Sequence, residues 1–567
     1  MTQWRYSLLE YSQKLAEQLV ADLEIHPVIA RILTVRGLAD SQKARRFLHP
    51  SLEQLHDPFL MLDMDKAVER TIRALRDREK IMVHGDFDTD GLTSTAILVH
   101  TLKSMGSEVT HFIPNRLEEG YGLRNDGVDV ARQRGATLLI TCDCGITSVE
   151  AVDYATSLGI DTIITDHHQP EEKIPAAVAV LDPLRPGCNY PFKELAGVGV
   201  AMKLVLAVVQ HCNEEPQMPS LMRMCAIGTV ADVVPLIDEN RVIANYGLAL
   251  LPGTPNIGLR ALIKIAGLDN SDITGYDVSY RLAPRINAMG RFGRQDIAME
   301  LFFTRNRSKA EDIANTMDSL NRERQRLVDR MVEQAREAIE KQPDIGMEKI
   351  LVLGDERWHK GIVGIVASKL VDSYSRPALA IAIEAGLGIG SGRSIPGFHL
   401  LDALAECEDL MNRFGGHAMA AGFELPAGHI PEMRKRLEKT ARSKLKDNDL
   451  QQEFAIDAEV SFSDIDEDFE EQFALLEPVG YGNPNPLMLT RGVRIALQPR
   501  SLKEKHMKLR LEKDGKFMTA LAWNMAEEMA GLCEGDSIDL IYNVFFNNWR
   551  KERHLELEVK AFQKVGD

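Results

Sequence analysis

At 567 residues and 44% hydrophobic content, the chain has enough length for about three to four domains, each with its own core. It contains no run of about 18 apolar residues, and Met1-Thr2-Gln3-Trp4-Arg5-Tyr6 lacks a basic stretch followed by an apolar one, so neither a membrane span nor a secretory leader is expected. Seven scattered cysteines suit a reducing, cytoplasmic setting without disulfides. The net charge is −17, but the segment 447–477 holds 12 acidic residues and no Lys or Arg. The remainder is close to balanced, so bulk acidity does not exclude a polyanionic ligand.

The first feature that folding does not ask for lies at His84-Gly85-Asp86-Phe87-Asp88-Thr89-Asp90, directly after the apolar Ile81-Met82-Val83. Two unit charges about 4 Å apart repel by roughly 1 kcal/mol in water and by several kcal/mol in protein, so three aspartates at one strand end call for cations. A solvated turn is the plain alternative. Against it, Gly91 and a helix-like run at 93–105 set the aspartates in a strand-to-helix connection, where a cavity normally opens.

Between 80 and 235, β-like runs at 81–84, 109–113, 138–141, 162–165 and 177–181 alternate with helical stretches such as 93–105 and 147–158. That alternation predicts a doubly wound parallel sheet, in which ligands bind beyond the carboxyl ends of the strands. Asp143 ends the third run, Asp166-His167-His168 follows the fourth, and Asp232 lies among apolar residues in Gly228-Thr229-Val230-Ala231-Asp232-Val233-Val234-Pro235. A buried carboxylate there needs a partner. Asp143 could instead cap a helix from 147. Strand alternation points Cys142 and Cys144 away from Asp143 as small buried residues, and no further cysteine pair exists for a zinc-thiolate site. Oxygen and imidazole donors without thiolate suit Mn²⁺ or Mg²⁺.

A long helix is predicted from Ser308, where Ser308-Lys309-Ala310-Glu311 reads as a capping box, to Pro343, with apolar positions from Ala310 through Ile339. About 35 residues at 1.5 Å each give a connector of about 50 Å between two lobes. The second lobe has β-like runs at 350–353 and 378–383, a glycine-rich stretch at 386–392 and a helix-like 400–411. Gly386-x-Gly388-x-Gly390 lacks the strand–turn–helix setting of a dinucleotide site. The acidic segment separates this lobe from a last region whose alternating runs at 508–511 and 554–559 predict a small β-barrel. The expected divisions are an N-terminal cap at 1–45, a catalytic α/β domain at 46–305, the connector at 306–345, a second α/β domain at 346–446, and an acidic linker with barrel at 447–567.

Asp88-Thr89-Asp90-Gly91, Asp143, Asp166-His167-His168 and Asp232 together resemble the four motifs of the DHH phosphoesterase superfamily. Gly415-Gly416-His417-Ala418-Met419-Ala420-Ala421-Gly422 is similar to the DHHA1 signature. Pro478-Val479-Gly480-Tyr481-Gly482-Asn483-Pro484-Asn485-Pro486 resembles the approach to the oligonucleotide-binding (OB) barrel of the superfamily's bacterial single-strand-specific exonucleases, and Ile113-Pro114-Asn115-Arg116 and Ala283-Pro284-Arg285-Ile286-Asn287 extend the likeness over nearly the whole chain. The chain departs from the usual pattern at the cysteines flanking Asp143, at Met289 and at Gly392.

The resemblance implies a 5′→3′ exonuclease that degrades single-stranded DNA to mononucleotides in repair and recombination. It implies two divalent ions, Mn²⁺ or Mg²⁺, one held by His84, Asp88 and Asp143, the other by Asp90, Asp143, His167 and Asp232, with Asp143 bridging. His168, Asp86 and Arg285 are the implied catalytic groups, with Asp166 behind the ligands. In the second lobe Gly415, Gly416 and His417 would approach the nucleic-acid backbone. Arg116, Ser391 and Arg393 are candidates for holding a terminal phosphate, because arginine and hydroxyl donors suit a dianion. The stretch 491–516, with nine Lys and Arg against three acids, is either a solvated barrel face or a DNA contact. A monomer working with a helicase and a single-strand-binding protein, and no membrane, completes the expectation. A small-substrate phosphodiesterase or oligoribonuclease of the same superfamily, and a DNA-binding scaffold without activity, are the alternatives.

Overall fold

The computed structural model describes residues 4–115, 120, 122–269, 271–342, 346–547 and 554–565. The chain opens with β1 (Trp4–Leu8), and the first sheet follows as β2 (Lys80–Gly85), β3 (Glu108–Phe112), β4 (Leu138–Cys142), β5 (Asp161–Thr165) and β6 (Ala179–Leu181). These five are parallel in the order β3-β2-β4-β5-β6. The period of two decides which face each residue serves. Ile81 and Val83 enter a large core with the Thr89–Ser104 and Gly197–His211 helices, while Met82 faces a second core with Val128, Val152 and Ile164. Helices thus cover both faces, as the doubly wound pattern requires.

The Arg307–Lys341 helix begins earlier than the capping box suggested. Asn306, not Ser308, is its cap, accepting from the Lys309 amide at 3.2 Å. Beyond it lies the second sheet: β7 (Leu351–Asp355), β8 (Ala378–Glu384), β9 (Leu387–Arg393), β10 (Arg413–Gly416) and β11 (Ala420–Pro426), ordered β10-β11-β9-β8-β7. The glycine-rich stretch forms strand β9, so Ser391 and Arg393 sit on a strand. A Cβ on Gly390 would fall 2.1 Å from the Phe423 ring, and one on Gly392 2.8 Å from Leu400. The glycines let neighbouring side chains lie flat on that face.

The acidic segment is folded rather than a free linker. It forms β12 (Gln452–Ile456), which pairs with β1, then β13 (Ala458–Glu459) and the Glu467–Phe473 helix. Most of its charges are exposed, Asp457 is buried against Arg36 at 3.3 Å, and Phe462, Ile465, Phe469, Phe473 and Leu476 are buried. The strands β14 (Leu487–Leu502), β15 (His506–Lys513), β16 (Lys516–Ala522), β17 (Ser537–Asn547) and β18 (His554–Lys564) close a five-stranded barrel through the β14–β17 pairing. The N-terminal helices share this core: Leu19, Ile29, Leu33 and Phe47 pack with Phe462, Phe469, Met488 and Tyr542. Among the described residues no helix is long and apolar enough to cross a membrane.

Candidate metal centre

The sequence-predicted acids converge at the carboxyl ends of β2, β4 and β5. The helix after β2 starts at Thr89 rather than 93, because Asp88 is its cap: Asp88 Oδ1 accepts from the Asp90 and Gly91 amides at 3.0 and 3.1 Å. Asp90 therefore sits in the first turn, with Oδ2 and Oδ1 accepting from the Gly197 and Val198 amides at 2.7 and 2.9 Å. Strand β4 ends at Cys142, so alternation does not govern Asp143, whose φ of 60° turns it over the sheet edge. Asp232 ends the Met218–Ala231 helix, and Val233 after it holds φ 63°, a costly conformation for a β-branched residue.

Three overlapping sets of donor atoms each lie within 4.8 Å: Asp86, Asp88 and Asp143; Asp143, His167 and His168; and Asp90, His167 and Asp232. His167 Nε2 stands 3.1 Å from Asp143 Oδ1, 3.5 Å from Asp232 Oδ2 and 4.0 Å from Asp90 Oδ2, and makes no hydrogen bond. Burial, reinforced by the charge on His168, lowers its pKa to about 4, so it is a neutral imidazole with a lone pair among carboxylates. Burial and then the Asp88 charge push Asp90 up to about 7. Burial and the surrounding aspartates raise Asp143 and Asp232 well above the carboxylate range. Acids this crowded and dry either keep protons or bind cations, and an oxygen-rich set with imidazole fits Mn²⁺ or Mg²⁺.

One expected ligand lies apart from the other donors, and one expected catalytic group lies among them. His84 shares the Met82 face of β2, where its Nδ1 lies 3.7 Å from Cys144 Sγ and its ring packs against Phe112. A Cβ on Gly127 would come within 2.9 Å of its Nε2. It is thus absent from the donor sets found among the described residues, and Asp86 takes its place beside Asp88 and Asp143. Arg285 is also drawn elsewhere, since its Nε and Nη2 bind Asp318 of the long helix at 3.0 and 2.8 Å.

Asp166 lies behind the cluster. Its Oδ1 accepts from the His167 and His168 amides and faces His168 Nδ1 at 2.7 Å, while Oδ2 accepts from the Ile146 amide. Burial alone would lower the His168 pKa, but the Asp166 hydrogen bond and charge override it and raise the value to about 9. Sequence reasoning missed Asn287, whose Oδ1 accepts from both the amide and hydroxyl of Thr89, and Asp182, a buried carboxylate at the end of β6. It also missed Gly197, where a Cβ would stand 2.6 Å from Asp143 Oδ1. Asp182 was legible as one more acid after a β-run; Gly197 carried no signal apart from its neighbours.

In the second lobe, a cavity of about 480 Å³ is lined by Arg291, Lys360, Gly364, Ser391 and Arg393, among others. Arg291 donates to the Gly361 carbonyl at 2.8 Å and so ties this lobe to the first. Gly415, Gly416 and His417 are exposed at the β10–β11 hairpin. Arg116 lies outside the described residues.

The profile of the DHH family, N-terminal domain, matches residues 80–229, that of the DHHA1 domain 347–443, and that of the RecJ OB domain 456–561. The single-stranded-DNA-specific exonuclease RecJ of Bacillus subtilis (strain 168) is 38% identical over 560 residues, 98% of this chain and 70% of that protein. Crystal structures of RecJ from Thermus thermophilus with Mn²⁺ and with Mg²⁺ superpose with TM-scores of 0.84 and 0.78 at 29% and 28% identity, covering all of this chain and 80% and 79% of theirs. A cluster of metal-type donors at the strand ends, three matched domains in one order and near-complete coverage have a single reading: the chain belongs to the RecJ family of DHH/DHHA1 proteins.

Proposed function

We propose that this protein is a metal-dependent 5′→3′ exonuclease that hydrolyses single-stranded DNA to mononucleotides, serving repair and recombination in the cytoplasm. The observation that carries the reading is the convergence of Asp86, Asp88, Asp90, Asp143, His167 and Asp232 within overlapping donor sets. Asp143 belongs to two of the sets and would be shared between them. Two divalent ions held there would offset the carboxylate charge and supply stabilisation of the attacking and leaving oxygens of a phosphodiester. The protein's own part is positional. The Gly197 and Val198 amides hold Asp90, Asp166 holds both histidines, and the His168 imidazolium offers a proton donor toward the scissile phosphate.

The cationic cavity with Ser391 and Arg393 suits a 5′-phosphate, which Arg291 would approach from the first lobe. His417 and the neighbouring glycines offer an open hairpin to the backbone. On the barrel, Lys508, Arg510 and Phe517 share the outer face of β15 and β16, with Arg510 5.6 Å over the Phe517 ring and the exposed Trp523 directly after β16. Rings and cations on one sheet suit a single strand and favour the exonuclease over a small-substrate phosphodiesterase. An enzyme confined to single strands needs them unwound and kept open, which calls for a helicase and a single-strand-binding protein.

The test is degradation of end-labelled single- and double-stranded DNA with Mn²⁺ or Mg²⁺, then with chelator. Loss of mononucleotides from the 5′ end of single strands only, abolished by chelator and by Asp143→Ala, is expected. Intact strands would sink the reading, and release from the 3′ end would reverse the polarity. Arg393→Ala should narrow the preference for a 5′-phosphate over a 5′-hydroxyl.

A further inference from the structure

Three tyrosines stand out from the surface between the metal centre and the barrel. Tyr276 and Tyr280 are 63% and 65% exposed, yet their rings lie 4.6 Å apart at 31°. Tyr481 is 63% exposed. The chain joins them. Gly275 approaches Val479 so closely that a Cβ would meet its carbonyl at 3.1 Å, and the Tyr481 carbonyl accepts from the Leu236 amide at 2.7 Å. Leu236 is four residues from Asp232, at most about 14 Å of extended chain. Beyond Tyr481, five residues lead to Leu487 at the start of β14, at most about 22 Å.

The local backbone is unusual in a way the sequence explains. Pro284 has no N–H for the Tyr280 carbonyl, and the turn Val278–Leu282 widens to a π-helix closed by the Ala283 amide on Val278. Such insertions recur at functional sites. The only carboxylate on this turn, Asp277, is occupied by Thr274 and Arg281. The ion pair leaves the turn without net charge, so nothing on it repels phosphate.

We infer that Tyr276, Tyr280 and Tyr481 form a stacking platform for the bases of single-stranded DNA between the barrel and the metal centre. The inference rests on the nuclease reading above. Exposed rings accept any base by its face, so the platform holds the strand without selecting sequence. It lies on the chain that links the two elements already assigned to DNA, which favours a nucleic-acid occupant over a protein.

The experiment compares wild type with the Tyr276→Ser/Tyr280→Ser variant and with Tyr481→Ser, on 5′-phosphorylated oligothymidylates of about 4 and about 20 nucleotides with Mn²⁺. The rings are mostly exposed, so the fold is expected to survive, and the short strand serves as the internal control. Each serine variant should raise KM for the long strand about fivefold or more, with kcat and the short-strand kcat/KM unchanged. The Tyr276→Phe/Tyr280→Phe variant, which keeps the ring faces, should behave as wild type. Wild-type KM in the serine variants overturns the platform. Equal losses on short and long strands would also overturn it, by pointing to a disturbed centre. A wild-type protein that leaves both strands intact fails at the nuclease reading itself.

Discussion

Gly197 lies where the amide row that holds Asp90 meets Asp143, and only a hydrogen fits between them. Gly197→Ala should therefore cut turnover at least a hundredfold while leaving the melting temperature nearly unchanged, because the methyl group displaces Asp143 rather than the core; single-turnover kinetics and calorimetry check both halves. The acids predict a pH dependence as well. Asp90 at about 7, with Asp143 and Asp232 also raised, hold protons where cations bind, so Mn²⁺ affinity should climb between about pH 6 and 8 with release of protons, as titration calorimetry in buffers of different ionisation heat will show. For stability the sign is the reverse. A carboxyl raised above its unfolded value near 4 contributes fully below that pH and loses the contribution as pH rises through about 7, so the metal-free protein should melt lower across that window and regain most from Mn²⁺ at its upper end. Asp88, Asp90, Asp143 and His167 stood out in the sequence because charges gathered at strand ends serve no packing purpose, and Asp232 because a carboxylate among apolar residues needs a partner. The separation of His84 from the donor sets was not legible, since His84 and Asp86 lie two residues apart in one short motif and the end of β2 at Gly85 falls between them.

At the scale of elements, the parallel sheet followed from its alternation, and errors fell at ends where a single side chain outweighs periodicity. Asp88 and Asn306 begin helices earlier than the apolar pattern does, by capping them. Strand β9 was hidden because glycine signals a loop unless a large neighbour such as Phe423 fills its place. The Gly197–His211 and Asp238–Leu250 helices are joined by a contact that no pattern announces, a fully buried ion pair between Lys203 and Glu239, completed by the Tyr190 hydroxyl and the His56 amide. Burial lowers the Lys203 pKa even with that partner present. Glu239→Ala leaves an ammonium uncompensated and should cost about 3–5 kcal/mol in urea denaturation, whereas replacing both residues by apolar ones of like volume should cost far less.

Across the whole molecule, Arg241 binds the two ends of the chain to the catalytic lobe. Its guanidinium donates to the carbonyls of Phe47, Leu475, Leu476, Glu477 and Pro478 and stacks 3.7 Å over Phe47. Removing residues after about 450 alone would uncover the apolar faces of the N-terminal helices that share the barrel core. Such a truncation should aggregate, while removal of both 1–50 and 450–567 should leave a soluble catalytic core, weaker on long single strands and still active on short ones; size-exclusion chromatography with paired cleavage assays distinguishes the two. The cap and the acidic segment read as separate pieces in the sequence because their partners lie far away along the chain: the His26 amide reaches Gln472 across 446 residues. That separation sets an order of events in the cell. At about 5–20 residues per second, the N-terminal helices leave the ribosome roughly 20 to 90 seconds before the strands that will cover them exist. Their apolar faces stay uncovered over that interval, which makes this segment of the nascent chain the one most exposed to aggregation.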